Sequence, residues 1–356
     1  MKPPYLPILD GHNDALKRLY DEHATPRSFL VEGQRGHIDL PRAKSGGLAG
    51  GFFAIFTPSP PDSAESDPFW ELTFTADGYR QKLRSPIDPA YAEEWTDRLI
   101  EFLGEIETEA GGALQVVRDV HQLERSIAEE VFAVILHVEG AEAIREDLSN
   151  LEAYYARGVR SLGLVWSRPN AFGEGVPFCF PHSPDTGPGL TAAGRELVKE
   201  CNRLGILIDL AHLNEKGFWD VERLSTSPLV VTHADVYAIC PSTRNLTDDQ
   251  LAAIGESGGV VGINFETMNI REDGLPEDKT PLSQIVRHIA YVAEKIGVDH
   301  VAFGSDFDGA DMPGDLKDAS GLPRLVDALR SGGFSAEEIE KITCRNWLRV
   351  LRATWR

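Results

Sequence analysis

The sequence predicts a (β/α)8 barrel of the TIM type with insertions on its rim. Three observations carry that expectation. Eight apolar runs of strand length are spread along the 356 residues, helical patterns alternate with them, and polar residues stand at the ends of five of the runs. The length suits one large barrel, about 250 residues before insertions, or two average domains. The barrel reading takes 1–356 as a single domain. An open doubly wound sheet is the structural alternative, but no GxGxxG follows a strand, which weakens its dinucleotide-binding form.

The first expected strand, 5–10, leads into Asp10-Gly11-His12-Asn13-Asp14. His12 and Asp14 are two residues apart, so an extended chain points them from the same face. Strand two, 51–56, is followed by a Pro-, Ser- and Asp-rich insertion over 57–88 and a helix over 90–107. Strand three, 131–137, is the continuous apolar run Val131-Phe132-Ala133-Val134-Ile135-Leu136, which ends in His137-Val138-Glu139-Gly140. Such runs suit parallel strands buried on both faces. Strand four, 159–166, precedes a second insertion, Gly- and Pro-rich, over 171–189.

A helix over 191–204 follows, with Thr191 as N-cap and Gly205 as C-cap. Strand five, 206–210, runs into Asp209-Leu210-Ala211-His212, and strand six, 229–232, into Thr232-His233-Ala234-Asp235. A helix over 247–256 starts at Thr247, with Asp249 adding an acid to its first turn. Strand seven, 260–264, a helix over 281–296 ending at Gly297, and strand eight, 301–304, complete the series. Strand eight opens into Ser305-Asp306-Phe307-Asp308-Gly309. Residues 318–352 read as closing helices that turn Trp347, Leu348 and Leu351 inward. There are no internal repeats and no low-complexity tracts.

Composition narrows the function. A net charge of −21 argues against nucleic acid, whose phosphates demand a basic face, and against an anionic membrane surface. No apolar run is long enough to span a bilayer, Met1-Lys2-Pro3-Pro4 leaves no room for a signal region, and the C-terminus lacks a lipid-anchor tail. Cys179, Cys201, Cys240 and Cys344 are widely spaced, form no CxxC pair, and read as reduced thiols. The expectation is a cytoplasmic enzyme.

On a barrel, the polar strand ends converge at one mouth. A lone histidine after a strand is an ordinary loop residue; five such ends together point to a metal site. His12 with Asp14 makes one ligand pair and His212 with His233 another. Some barrel hydrolases bridge two ions with a modified lysine at the end of strand four. Ser161-Leu162-Gly163-Leu164-Val165-Trp166 has no lysine, which leaves Glu139 as the bridging candidate. Two ions about 3.5–4 Å apart would share a hydroxide, a strong nucleophile at neutral pH. Asp306 then stands where a general base and acid belongs.

These motifs resemble the renal (membrane) dipeptidases and their bacterial relatives, zinc-dependent peptidases of the amidohydrolase superfamily. The similarity runs nearly end to end, through Asp10-Gly11-His12-Asn13-Asp14, Val138-Glu139-Gly140, Gly158-Val159-Arg160, Asp209-Leu210-Ala211-His212, Thr232-His233, Arg244-Asn245-Leu246 and Gly304-Ser305-Asp306-Phe307-Asp308-Gly309. The resemblance implies two zinc ions, one on His12 and Asp14, one on His212 and His233, with Glu139 bridging. It implies a catalytic role for Asp306, a dipeptide substrate whose C-terminal carboxylate Arg244 grips, and a homodimer. Manganese or cobalt would also suit the ligands.

One position departs from the family pattern. Where many members have a histidine that holds the substrate's carbonyl oxygen, this chain has Trp166, followed by Ser167-Arg168-Pro169-Asn170. An indole N–H donates one hydrogen bond but carries no charge. Trp166, Arg168 or Asn170 is expected to take over that contact, or the metal to suffice, with altered substrate preference rather than lost activity. Arg168 is further expected to favour acidic substrates. The competing readings are another amidohydrolase, a lactonase or deaminase without need of Arg244, and an inactive metal-binding module without need of Asp306.

Overall fold

The strands form where the apolar runs are, and they close on themselves. β1 (Ile8–Asn13), β2 (Leu48–Phe56), β3 (Phe132–Glu139), β4 (Val159–Gly163), β5 (Leu207–Asp209), β6 (Val230–Ala234), β7 (Val260–Ile263) and β8 (Val301–Phe303) follow one another in one sheet. Every neighbouring pair is parallel. A further short strand, Leu114–Val116, pairs with the start of β3 off this path. The computed structural model describes residues 6–67 and 70–356. The expected start of the first strand, at Tyr5, lies outside the described residues.

The ring meets just past the ends of β8 and β1. Asp306 N–H donates to His12 O (3.0 Å) and Asp14 N–H to Phe307 O (2.8 Å). The Asp10 carboxylate reinforces this seam by accepting from Ser305 N–H (2.7 Å) and Ser305 Oγ–H (2.8 Å). The C-terminal end of the ring is thus stitched by the same residues that carry the first candidate ligand motif.

Buried Val, Ile, Leu and Phe fill the space between the strands and the outer helices. A second cluster closes the floor. There the C-terminal helix Asn346–Thr354 sets Trp347 against Phe52, ring centroids 5.0 Å apart, and the Trp347 Nε1–H donates to Phe303 O (3.0 Å). Leu351 is buried with it and Leu348 is half-buried. Filling this end confines any open space to the opposite rim.

The four expected helices form at Pro89–Glu109, Ala192–Leu204, Asp248–Glu256 and Ser283–Ile296. Thr191 caps the second through Gly194 N–H (3.0 Å), and Thr247 and Gln250 form a reciprocal capping box on the third. Six more, Ala15–Asp21, Leu40–Gly46, Val120–Ala128, Leu151–Arg157, Glu215–Leu224 and Thr267–Ile270, were not expected. They are short, and Leu151–Arg157 buries only Leu151 and Tyr154, too little periodicity to read. Three of them have side-chain caps: Asp39 accepts from Arg42 N–H (2.9 Å), Asp119 from Gln122 N–H (2.8 Å) and Asn214 from Gly217 N–H (2.9 Å).

Two other differences shape the rim. β4 ends at Gly163, not Trp166, because the Asn170 Nδ2–H takes the Leu164 carbonyl (2.8 Å) and turns the chain away. The two insertions join each other. A hairpin of Thr73–Thr75 and Gly78–Arg80 pairs antiparallel with Cys179–Phe180, making a small sheet on the rim. Gly78 (φ 141°) lies so close to the Phe180 carbonyl that a Cβ would collide with it. No described helix is long and apolar enough to cross a membrane.

Candidate metal centre and active site

The strand ends bring five donors together. Glu139, at the end of β3, points its two oxygens at different partners. Oε2 is 3.6 Å from His12 Nε2, while Oε1 is 3.0 Å from His212 Nε2 and 3.5 Å from His233 Nε2. Asp14 Oδ2 lies 3.6 Å from His12 Nε2, and the Nε2 atoms of His212 and His233 are 3.1 Å apart. His212 and Asp306 adopt left-handed backbone (φ 64° and 61°), an uncommon conformation for side-chain-bearing residues. Gly309 packs against Asp14 and Asp306 so closely that a side chain there would collide with both carboxylates.

The two histidine environments differ. His212 Nδ1 is 2.8 Å from Ser167 Oγ, and His233 Nδ1 is 2.9 Å from Thr232 Oγ1. Thr232 spends its hydroxyl proton on Asp209 Oδ2 (2.6 Å), so it accepts from His233 Nδ1–H and leaves Nε2 a bare lone pair. Burial, reinforced by the charges of Arg244 and His12, holds both imidazoles well below the usual range, hence neutral. His12 is the reverse. Both its nitrogens are buried without a hydrogen-bond partner. Burial opposes its protonation, yet Glu139, Asp14 and Asp306 outweigh it and push the imidazole up to about 10.

Burial raises Glu139 well above the usual carboxylate range, with Asp14 and Asp306 adding to it and His12 opposing. Asp306 is also raised, by burial first, and its Oδ2 accepts from Asn264 Nδ2–H (2.9 Å). Carboxylates crowded on buried imidazole nitrogens are the donor set of a divalent cation. Among the described residues three sets present three ligand atoms within 4.8 Å of one another: His12 with Glu139 and His233, His12 with Asp14 and Asp306, and His12 with His137 and Asp209.

A cavity of about 300 Å³ opens over Asp14, Glu139, His212, His233 and Asp306. Phe56, Trp166, Phe178 and Arg168 wall it, and Lys17, Glu65 and Arg84 also line it. Trp166 packs against Phe56 at a tilt of 54° (ring centroids 4.6 Å apart) and lies 5.8 Å from the His212 ring. Arg244 is buried behind His233 and donates from Nη2 to the His233 carbonyl (3.2 Å); it does not line this cavity. Asn170 is a correction. Its Nδ2 is committed to Leu164 O and its Oδ1 to the N–H groups of Phe172 (2.8 Å) and Gly173 (3.2 Å), so it shapes the loop and does not line the cavity.

Several participants carried little sequence signal. Ser167, Asn264 and the rim residues Glu65, Arg84 and Phe178 were not singled out. Asn264 had a readable mark, a polar residue closing an apolar run. Asp308 lies inside a quoted motif without an assigned role; its buried carboxylate is ion-paired with Arg18 (Nε to Oδ2, 2.9 Å) and accepts from the His37 backbone N–H. It thereby ties down the loop after Asp306.

The chain is similar to known proteins over nearly its whole length. A family profile described as membrane dipeptidase (peptidase family M19) matches residues 4–355. An uncharacterised Klebsiella pneumoniae protein in the pqqA 5′ region is 48% identical over 254 residues, 71% of this chain and 94% of its own. The solved structure of the dipeptidase AC, a metallo peptidase of family M19, is 45% identical, covers 99% of both chains and superposes with a TM-score of 0.92. A Rhodobacter sphaeroides metallo peptidase, solved with a phosphinate mimic of the dipeptide L-Ala-D-Ala, is 46% identical with a TM-score of 0.95, covering 99% of this chain and 100% of that one.

Proposed function

The chain belongs to the membrane dipeptidase family, peptidase family M19, and from that premise we propose that it is a dinuclear zinc dipeptidase. The observation that carries this reading is Glu139, whose two oxygens address His12 on one side and His212 with His233 on the other. His12 and Asp14 would hold one ion, His212 and His233 the other, with Glu139 between. Bound there, the ions would polarise a peptide carbonyl and bring a water's pKa near neutrality. Imidazole and carboxylate donors suit zinc.

The chain's own groups supply the rest. Asn264 engages Asp306 Oδ2, leaving Oδ1 to take a proton from the attacking water. As the water's oxygen bonds to the carbonyl carbon and the C–N bond breaks, that proton passes to the leaving nitrogen, giving two amino acids. Arg244, which lies behind His233, would take the C-terminal carboxylate with the guanidinium edge that the His233 carbonyl leaves open. Phe56, Trp166 and Phe178 exclude water from one side. A second residue of D configuration is accepted, in keeping with the L-Ala-D-Ala mimic on the Rhodobacter relative. A homodimer and a cytosolic setting complete the proposal; the four buried thiols, none in a disulfide, fit the latter.

The test is amino-acid release from L-Ala-L-Ala, L-Ala-D-Ala and the corresponding amides, which lack the free carboxylate. Both dipeptides should be cleaved, the amides poorly, and chelator should stop the reaction. Arg244→Ala should lower kcat/KM for the dipeptides by about 10–100-fold, the worth of a charged hydrogen bond. Equal cleavage of the amides, or no effect of Arg244→Ala, would point to a lactonase- or deaminase-like hydrolase instead.

A further inference from the structure

Of the guanidinium groups around the proposed centre, Arg244 and Arg168 form no ion pair with any described residue. Arg244 is already matched to the substrate's terminal carboxylate. Arg168 is 1% exposed, and its Nε and Nη1 are buried without any acceptor. Arg168 lies over the Trp166 ring (4.9 Å) and near that of Phe56 (5.8 Å), and all three residues line the cavity.

The acids nearby do not serve it. Glu142, the acid bearing most strongly on Arg168, is itself buried, which raises its carboxyl above the usual range, and no ion pair joins it to Arg168. Glu65 gives its carboxylate to Ser85 N–H (2.9 Å) and Ser85 Oγ–H (2.8 Å). Asp308 is taken by Arg18. Arg84 adds a second positive charge over the same Trp166 ring, at 5.8 Å. A buried cation without a hydrogen-bonded partner is costly, and an anion arriving through the cavity would relieve that cost. A dipeptide of two neutral residues brings one carboxylate, and Arg244 takes it. A dipeptide containing Asp or Glu brings two.

We propose that Arg168 is a specificity-determining residue that receives the side-chain carboxylate of an acidic dipeptide, making dipeptides with one Asp or Glu the preferred substrates. This rests on the dipeptidase reading above. The planar fork of Arg168 suits a carboxylate, and its two aromatic neighbours hold the guanidinium plane in the cavity wall.

The experiment compares kcat/KM for each acidic dipeptide with its neutral isostere on the metal-loaded protein. Asp-Ala against Asn-Ala reads the first position; Ala-Asp against Ala-Asn, with the second residue L or D, reads the second. One of these ratios should favour the acid by about 10–100-fold, the value of a charge-assisted hydrogen bond. Arg168→Met should bring that ratio close to unity. Arg168→Lys, which keeps the charge but loses the fork, should fall between and serves alone if the methionine variant does not fold. Ratios near unity in the wild-type protein, or an unchanged ratio in the variants, would overturn the proposal. So would an equal loss on Ala-Ala, Ala-Asn and Ala-Asp, which would make Arg168 the terminal-carboxylate residue. Failure to cleave any dipeptide would instead sink the dipeptidase reading and this inference with it.

Discussion

The two halves of the candidate centre are built differently. On the β5–β6 side, His212 and His233 are set before any ion arrives: Ser167 and Thr232 hold their Nδ1 atoms, and burial keeps both rings neutral. On the seam between β8 and β1, His12 has no hydrogen bond on either nitrogen and is crowded by Glu139, Asp14 and Asp306. One half is positioned by hydroxyls, the other by charge. Geometry fixed by hydrogen bonds survives without metal, whereas geometry fixed by unbalanced charge needs either a cation or a proton to hold it.

The largest effect that would sharpen this contrast is on metal affinity. Removing the hydroxyls with Ser167→Ala or Thr232→Val should weaken binding by about 10–100-fold at the His212–His233 side. Isothermal titration of the metal-stripped protein checks it. Two sites weakened alike would break the distinction between the halves.

A smaller effect is on the pH dependence of the metal-free protein. His12 is raised from 6.5 to about 10, so its contribution to stability is whole below pH 6.5 and lost as pH rises through about 10. Glu139 and Asp306 are also raised, so their ionisation within the fold costs stability in the same rising direction. His212 and His233 are lowered, so their contribution is present above pH 6.5 and lost as pH falls below it. Thermal unfolding of stripped protein should therefore show Tm falling by several degrees on the alkaline side. In the metal-loaded protein that alkaline fall should vanish. The same fall with and without metal would contradict the assignment of His12.

The contrast also marks what the sequence made legible. Residues near strand ends were readable because a buried parallel strand is a plain apolar run and the polar residues about its end stand at the barrel mouth: Glu139 closes β3, His12 and His233 lie one residue before the ends of β1 and β6, and His212 and Asp306 stand three residues past β5 and β8. Residues that depend on loop paths were not. Trp166 was placed on β4 because Leu164 and Val165 continue the apolar pattern, and only the Asn170 side chain, by capturing the Leu164 carbonyl, shows why the strand stops sooner. That same capture removes Asn170 from the cavity. Likewise nothing in 57–88 or 171–189 announces that the two insertions pair with one another, since strands of two or three residues leave no periodic trace. The lack of a partner at Arg168 is a tertiary fact, and composition alone offered only its charge.

The bridging position of Glu139 is tested most directly by counting metal. Metal analysis of the protein purified with zinc, before and after Glu139→Gln, alongside release of alanine from Ala-Ala, addresses it in one comparison. Two equivalents per active chain, with at most one retained and activity lost by about a thousandfold or more in Glu139→Gln, is the expected result; the loss of an activated water and its positioning accounts for that scale. A fully active wild-type chain with a single equivalent, or a Glu139→Gln chain that keeps both ions, would contradict the bridge.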